Sequence, residues 1–400
     1  MRLLEGVRVI DVTMWAFVPA AGGVLAHWGA DVIKIEGPGR PDPMRLFHGG
    51  SLEKGDAGWM FKHYSRGKRS LGLNLATEQG REVLYKLVET ADVFLTSYLT
   101  DTRKKLKFDV DDIRAVNPNI VYVRGSGQGP RGPQSERGGY DQAAWWCRGS
   151  LAHQAMTMAG VDWPPGMIGH GDGMAGMTLA GGICAALLHR AMTGKAPLVD
   201  GSLMGTAAWF NGPAIISTGL GAPFPGSIPP RETHHPTMNM YRTKDNRFIN
   251  LCMLGDFDEE WVDFCEHLGR PDLATDPRFK TSSDRQKHAA EGVRIFDEIF
   301  AQRTLEEWKE ALVTTKGVWA PVQTPGEMFD DPQTIANGFL REVQYATGPV
   351  RLPAPPILFD EEAGDPPPAP DYAEHTNEIL AELGYDASAI DDLRAGNVIV

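Results

Sequence analysis

The sequence VRVIDVTMWAFVPAAGGVLAHWGADVIKIE, residues 7–36, decides the fold. Residues 7–12 and 31–36 have the β-branched apolar pattern of strands, and residues 19–28 between them have the small apolar composition of a helix. Two strands joined by a helix within about thirty residues indicate a right-handed parallel crossover. The turn at residues 14–19 lacks the Gly-x-Gly-x-x-Gly pattern, so a dinucleotide is not the expected ligand.

The following sequence continues this alternation of strands and helices. Apolar patterns predict strands at residues 70–75, 92–98 and 119–124, with a helix at residues 77–90 between the first two. This order is typical of a doubly wound parallel sheet. The chain has 400 residues, which exceeds what one hydrophobic core usually supports, so we expect two domains.

Two segments rich in proline, residues 219–236 and 353–370, divide the chain. A hairpin pattern at residues 240–251 begins an α+β segment between them. We therefore predict an α/β protein with a large, doubly wound, Rossmann-like domain and a smaller α+β domain. The predicted boundaries are residues 1–212 and 334–400 for the large domain, 237–325 for the small domain, and 213–236 and 326–333 for the linkers.

Composition limits the partners and the compartment. The net charge of −13 argues against nucleic acid as a partner, and no uninterrupted apolar run is long enough to span a bilayer. The chain enters a strand pattern directly after its first residues, so we expect no signal peptide and a cytoplasmic protein. No Cys-x-x-Cys spacing occurs, which predicts neither a metal site nor a disulfide among Cys147, Cys184, Cys252 and Cys265.

One carboxylate, Asp172, stands among glycines at the start of an apolar stretch that ends at Gly194. The stretch predicts a buried helix, with Asp172 at or just before its N-terminus. Backbone N–H groups and the helix dipole should keep Asp172 ionised at neutral pH, and Gly171 and Gly173 should leave its oxygens unhindered. One interpretation is an ordinary helix N-cap. The other is an exposed nucleophile for covalent catalysis.

A series of short motifs resembles, in the same order along nearly the whole chain, the class III CoA-transferase family. That family also contains the carnitine CoA-transferase, formyl-CoA transferase and α-methylacyl-CoA racemase types. The motifs are GVRVID (6–11), GADVIKIE (29–36), KRSLGLNL (68–75), GGYD (138–141), GD (171–172), LLHRAMTG (187–194), MYRT (240–243), LGRPDL (268–273), DPRF (276–279), WAPV (319–322) and EHT (374–376).

The resemblance implies a fold and a chemistry. Relatives form homodimers of two chains threaded as interlocked rings, and the segments rich in proline would supply the extended linkers this needs. In the transferases, the residue that matches Asp172 attacks an acyl-CoA thioester, which gives an aspartyl anhydride and then an aspartyl-CoA thioester. The implied substrates are an acyl-CoA and a free carboxylic acid, with coenzyme A entering as a thioester, no tightly bound cofactor and no metal.

The resemblance also assigns further site residues. Tyr140 stands where racemases carry a catalytic His, and Asn239 falls near a Glu of their proton-transfer set. Neither side chain shuttles an α-proton near neutral pH, which favours a transferase. Tyr140 would donate a hydrogen bond to the thioester or anhydride oxygen; packing in the core is its alternative. The positions implied to contact CoA are Ala16, Phe17, Leu73, Asn74, Ser97, Tyr98, Lys105 and Arg124, for which surface or core roles are the alternatives.

The sequence departs from the family pattern in three places. Residues 97–101 replace the usual Asn-Phe-x-Pro-Gly, residues 231–239 replace a glycine-rich lid, and Trp145 and Trp146 occupy a segment that is usually smaller. For the two tryptophans, a core role is favoured over a role in the acyl pocket. The predicted activity is acyl-CoA:carboxylate CoA transfer through Asp172. The alternatives are an α-methylacyl-CoA racemase or isomerase, and a CoA-ester binding protein without catalytic activity.

Overall fold

The computed structural model describes residues 2–163, 166–222, 231–253, 258–365 and 367–400. The chain separates into two compact units. The first comprises Met1–Met156, Asp162–Ala222 and Pro332–Val400, and the second comprises Thr157–Val161 and Pro223–Asp331. Residues 223–230 of the first predicted linker lie outside the described residues. The start of that predicted linker is helical, since a helix occupies Gly212–Gly219.

The first unit is built on a six-stranded parallel sheet in the order β3-β2-β1-β4-β5-β6. This confirms the predicted α/β class and parallel sheet. The strands are β1 (Arg8–Val12), β2 (Asp31–Glu36), β3 (Arg69–Gly72), β4 (Val93–Thr96), β5 (Val121–Ser126) and β6 (Leu198–Ser202). A hairpin that the sequence analysis did not predict follows near the C-terminus, formed by β10 (Leu340–Tyr345) and β11 (Gly348–Pro353).

Helices of this unit pack on both faces of the sheet. The helices of the unit are α1 (Phe17–His27), α2 (Trp59–Tyr64), α3 (Glu78–Glu89), α4 (Thr100–Lys105), α5 (Val110–Val116), α6 (Leu151–Ala159, of which residues 157–159 are assigned to the second unit), α7 (His170–Thr193), α8 (Leu203–Phe210), α9 (Gly212–Gly219), α15 (Pro332–Ala336), α16 (Thr376–Glu382) and α17 (Ala387–Ala395). Val9 faces the core formed with α1 and α7, while its neighbour Ile10 faces the core formed with α3, α5, α16 and α17. The sheet is therefore covered on both sides, as its continuous apolar strands require.

Helix α7 is central to the first core and closes at Gly194, which has the left-handed φ of 72° expected of a stop signal. It crosses α1 closely, because a Cβ on Gly176 would lie only 2.5 Å from the Ala20 Cβ. By length and composition α7 is apolar enough to cross a membrane, although it carries no uninterrupted apolar run. One such helix is weak evidence for a membrane span, because the core helix of a globular protein meets the same criterion of length and composition.

The second unit has a three-stranded antiparallel sheet of β7 (Met240–Arg242), β8 (Phe248–Leu251) and β9 (Trp319–Pro321). The hairpin predicted at residues 240–251 is confirmed, and Asn246 in its turn has a φ of 61°. Aromatic side chains such as Trp261, Phe296 and Trp308 fill its core. Its helices are α10 (Trp261–His267), α11 (Asp272–Thr275), α12 (Ser282–Lys287), α13 (Ala289–Phe300) and α14 (Leu305–Leu312).

Candidate active site

A cavity of about 660 Å³ lies in the first unit at the carboxyl ends of β1, β4 and β5. The strand order reverses between β1 and β4, and ligands of open α/β sheets bind at such a switch point. The loops that follow these two strands are joined there, because the Met14 N–H donates to the Ser97 Oγ at 3.0 Å. Asp172, in the first turn of α7, lines the same cavity.

A buried ion pair and two hydrogen bonds hold the turn after β1 in place. The Lys34 Nζ lies 2.8 Å from the Asp42 Oδ2 and donates to the Thr13 carbonyl oxygen at 2.9 Å. Asp42 also accepts from the Trp15 N–H at 3.0 Å. Trp15 has a φ of 70°, a conformation that a residue with a large side chain adopts only when its surroundings fix it. The turn thereby holds the Trp15 ring against Tyr140, with ring centroids 5.4 Å apart.

Asp172 lies deeper in the helix than the sequence predicted. The N-cap is Gly169, with a φ of 76°, and α7 begins at His170, so Asp172 is inside the first turn. The prediction of an exposed and fully ionised carboxylate was wrong. Asp172 is half-buried, and this burial, reinforced by the neighbouring Asp141 charge, raises the pKa of Asp172 to about 7. Near neutral pH the protein therefore holds Asp172 in both protonation states.

Asp141 takes the place at the helix N-terminus that the sequence analysis gave to Asp172. Its Oδ2 accepts from the Gly169 N–H at 3.1 Å, and its side chain is buried, with 6% of the residue exposed. Burial raises the pKa of Asp141, and the N–H groups of Gly169, Gly171 and Asp172 lower it without reversing the direction. The sequence analysis missed this role, although the motif at residues 138–141 contains the residue.

Tyr64, a second residue that the sequence analysis missed, supports the same turn. Its hydroxyl donates to the Gly169 carbonyl oxygen at 3.2 Å and lies 3.4 Å from the position of a Cβ on Gly173. Burial and the charges of Asp172 and Asp141 raise the pKa of Tyr64, so it remains a neutral donor. Only its place before the KRSLGLNL motif, four residues downstream, would have drawn attention to it.

Tyr140 lines the cavity and is 61% exposed, which corrects the alternative of core packing. Among the described residues its hydroxyl has no hydrogen-bond partner, and it is therefore available to a ligand. Trp145 and Trp146 are buried and stacked at 6.0 Å, in agreement with the favoured core role. Trp145 packs on Gly171, where a Cβ would lie 2.2 Å from its Cγ, so Gly171 is covered and not open as predicted.

Of the eight residues implied to contact CoA, four lie at the cavity and four lie elsewhere. Phe17, Ser97 and Tyr98 line the cavity, and Ala16 is buried in the turn beside them. The other four do not line the cavity. Leu73 is fully buried in the core, Asn74 binds the Asn397 carbonyl oxygen, Lys105 is exposed at the end of α4, and Arg124 forms a two-point ion pair with Asp200 at 2.7 and 2.8 Å.

The titratable groups that line the cavity are two carboxylates, one arginine and two tyrosines: Asp141, Asp172, Arg137, Tyr98 and Tyr140. No group of three or more His, Cys, Asp or Glu side chains in the described part of the chain could hold a metal ion. A switch-point cavity with one unengaged carboxylate is typical of an enzyme that uses carboxylate nucleophile or acid–base chemistry.

Comparison with known proteins identifies the class. The model of CoA-transferase family III matches residues 4–376. The chain is 31% identical over 402 residues to (R)-2-hydroxy-4-methylpentanoate CoA-transferase of Clostridioides difficile, covering 99% of both chains. It is 32% identical to cinnamoyl-CoA:phenyllactate CoA-transferase of Clostridium sporogenes, covering 98% of this chain and 96% of that one.

A solved structure has the same fold. A CAIB/BAIF family protein from Brucella suis superposes with a TM-score of 0.78 at 27% identity, covering 95% of this chain and 99% of that chain. The chain belongs to the class III CoA-transferase family and is a CoA-transferase enzyme. This confirms the predicted family and enzyme class.

Proposed function

We propose that this enzyme transfers CoA from an acyl-CoA to a free carboxylic acid through covalent intermediates on Asp172. The observation that carries the proposal is the contrast between the two carboxylates of the cavity. Asp141 is engaged by the helix N-terminus. Asp172 accepts no hydrogen bond from any described residue, so its oxygens are free to attack a thioester carbon.

The steps balance without any further reactant. An Asp172 oxygen attacks the thioester carbonyl, the C–S bond breaks, CoA leaves as the thiolate, and the acyl group remains on Asp172 as a mixed anhydride. The thiolate then attacks the aspartyl carbonyl, which releases the first acid as its carboxylate and leaves aspartyl-CoA. The incoming carboxylate attacks this thioester and forms a second anhydride, releasing the thiolate. Attack of the thiolate on the acyl carbon yields the new acyl-CoA and restores Asp172.

Tyr140, which lines the same cavity, would support these steps. Its free hydroxyl can donate to the oxygen that becomes negative in each addition step. The surrounding side chains Trp15, Phe47, Met44 and Met60 are apolar and line the same cavity. We therefore propose acids with a branched aliphatic or aromatic body as substrates. The acids named for the Clostridioides and Clostridium relatives, 2-hydroxy-4-methylpentanoate and phenyllactate, belong to this class.

A mass-spectrometric exchange experiment separates this function from its alternatives. The protein is incubated in heavy water with phenyllactate and either 4-methylpentanoyl-CoA or 2-methylpentanoyl-CoA, the second of which carries the α-methyl group of a racemase substrate, and all CoA esters are followed. We expect phenyllactyl-CoA to form without deuterium entering the α-position. Deuterium incorporation without exchange would indicate a racemase, and neither change, with intact binding of the ester, would indicate a CoA-ester binding protein.

The raised pKa of Asp172 predicts a pH dependence. The first acyl transfer needs the ionised carboxylate, so its single-turnover rate should rise between about pH 6 and 8 and level off above that. Asp141→Asn removes the charge that helps to raise this pKa, and it should shift the profile to lower pH. Rapid-quench measurement of released CoA checks both. A flat profile in the wild type, or no shift in the variant, would contradict the proposed role of Asp172 ionisation.

We further propose a cytoplasmic homodimer. Neighbouring helices of the first unit expose large apolar side chains that water does not favour, namely Leu188 and Met192 on α7, Trp209 on α8 and Ile216 on α9. Burial of such a surface against a second copy agrees with the interlocked dimer that the family resemblance implies.

We also propose that Phe17, Ser97 and Tyr98 contact the CoA thioester and that Lys105 and Arg124 bind its phosphates.

A further inference from the structure

The first unit contains a second cavity, of about 370 Å³, which the proposed mechanism does not use. Its walls come from α1, the end of α2, the second turn of α7 and residues 353–356. Most of the wall is apolar, including Val24, Met174 and Met177. The polar groups of the wall include Arg66 and His63.

Arg66 is a buried cation without a counter-ion. Its residue is 4% exposed, and its only hydrogen bond within the described residues is donated to the Pro353 carbonyl oxygen. Its Nε has no partner, and no described carboxylate forms an ion pair with it. Burial lowers its pKa, the direction expected when a charge is left uncompensated.

Other buried cations of the same unit show what Arg66 lacks. Lys34, Arg45 and Lys68 are as deeply buried, and each lies 2.7 or 2.8 Å from the carboxylate of Asp42, Glu36 or Asp11 respectively. Because an unpaired buried charge is strongly unfavourable, a folded protein normally provides a partner. For Arg66 the open space that could hold that partner is the cavity itself.

His63 adds a neutral polar group to the same wall. Burial and the nearby Arg66 charge lower the pKa of His63 to about 3, so it is uncharged at neutral pH. Its Nδ1 is buried without a hydrogen-bond partner among the described residues. One guanidinium, one imidazole and an apolar enclosure match an anion with a single charged end and a hydrocarbon body.

We propose that this cavity binds a small organic acid, with its carboxylate on Arg66 and its hydrocarbon part against Val24, Met174 and Met177. The site is separate from the cavity of Asp172, although Gly173, the residue after Asp172, contributes to its wall. Binding here is non-covalent and needs no CoA ester. It therefore does not depend on the proposed transfer function.

Titration calorimetry without any CoA ester tests the inference. Hexanoate and benzoate are the probes, and hexanamide and benzamide are uncharged controls of the same shape. The acids should bind at least about tenfold more tightly than the amides. Arg66→Met should weaken acid binding about ten- to a hundredfold, and Arg66→Lys should restore part of it. Arg2→Met, which removes the same charge from an exposed position, should change nothing.

A second variant keeps the test decisive if Arg66→Met does not fold. Thr178 lies on the exposed rim of this cavity and does not line the Asp172 cavity, so Thr178→Trp should fill the space and abolish acid binding. Acid binding that survives both variants would place the acid elsewhere and overturn the inference. So would acid binding that is absent from the wild type. Exchange that persists in Asp172→Asn, with acid binding intact, would contradict only the proposed function.

Discussion

The Asp172→Asn variant should lose CoA exchange by roughly a thousandfold or more while it still binds acyl-CoA. The substitution keeps the size of the side chain and removes the anionic oxygen that forms the anhydride. Because Asp172 accepts no hydrogen bond from a described residue, its loss should leave the first turn of α7 in place. Steady-state exchange rates and equilibrium binding of a non-transferable CoA ester provide the two readouts.

Two controls sharpen this experiment. An Asn before Gly173 is prone to hydrolyse back to Asp, so Asp172→Ala should be measured beside it and should be equally inactive. Asp141→Asn retains the proposed nucleophile and should keep far more activity than either. Near-normal exchange in Asp172→Ala, or a larger loss in Asp141→Asn than in Asp172→Asn, would contradict the assignment.

The same variant has a stability signature with a defined sign. Burial raises the folded-state pKa of Asp172 from its ordinary value near 4 to about 7, so ionisation costs the folded state stability between these pH values. At pH 8 the free energy of unfolding of Asp172→Asn should therefore exceed that of the wild type by about 1–3 kcal/mol after allowance for solvent screening, which chemical denaturation measures. Below about pH 4 the difference should vanish, because the wild-type carboxyl is then neutral in both states.

Gly171→Ala should destabilise the protein by about 2–4 kcal/mol and abolish most activity. A Cβ at this position would lie 2.2 Å from the Trp145 Cγ and 2.3 Å from the Asp141 Oδ1. Both neighbours are buried, so the first turn of α7 must move, and Asp172 moves with it. Chemical denaturation and the exchange assay measure the two effects.

Gly173→Ala is the matched control, two residues along the same helix. Its Cβ would lie 3.4 Å from the Tyr64 hydroxyl, an ordinary contact, and the helical backbone favours Ala by up to about 1 kcal/mol. We expect unchanged or slightly increased stability. Equal effects of the two substitutions would show that Trp145 and Asp141 do not hold the turn as described.

The sheet and its helices could be predicted because their signals are local. Residues 7–36 form β1, α1 and β2 as expected, and α7 ends at Gly194 as its sequence indicates. The hairpin of β10 and β11 could not be predicted in the same way, because β11 contains two prolines, Pro349 and Pro353, and neither strand follows a clear alternation. Local patterns predict elements well only where propensity and burial agree.

The electrostatics of the site depend on contacts between distant residues. Asp141 and the Gly169 N–H that it accepts from are 28 positions apart, and no spacing rule connects them. Burial and the charge of Asp141, which this contact holds at the helix N-terminus, raise the pKa of Asp172. In the same way, only the structure shows that Asp200 engages Arg124. The sequence singles out Asp172 as the candidate nucleophile, whereas contacts made in the fold raise its pKa.

The most direct test of the central claim is to trap the covalent intermediate. The enzyme is mixed with acyl-CoA without an acceptor, quenched with hydroxylamine and digested with trypsin. Cleavage after Arg137, Arg148 and Arg190 places Asp141 and Asp172 on different peptides, residues 138–148 and 149–190. We predict an aspartyl hydroxamate at Asp172, absent from Asp172→Ala. A hydroxamate at Asp141, or none while exchange proceeds, would contradict the account.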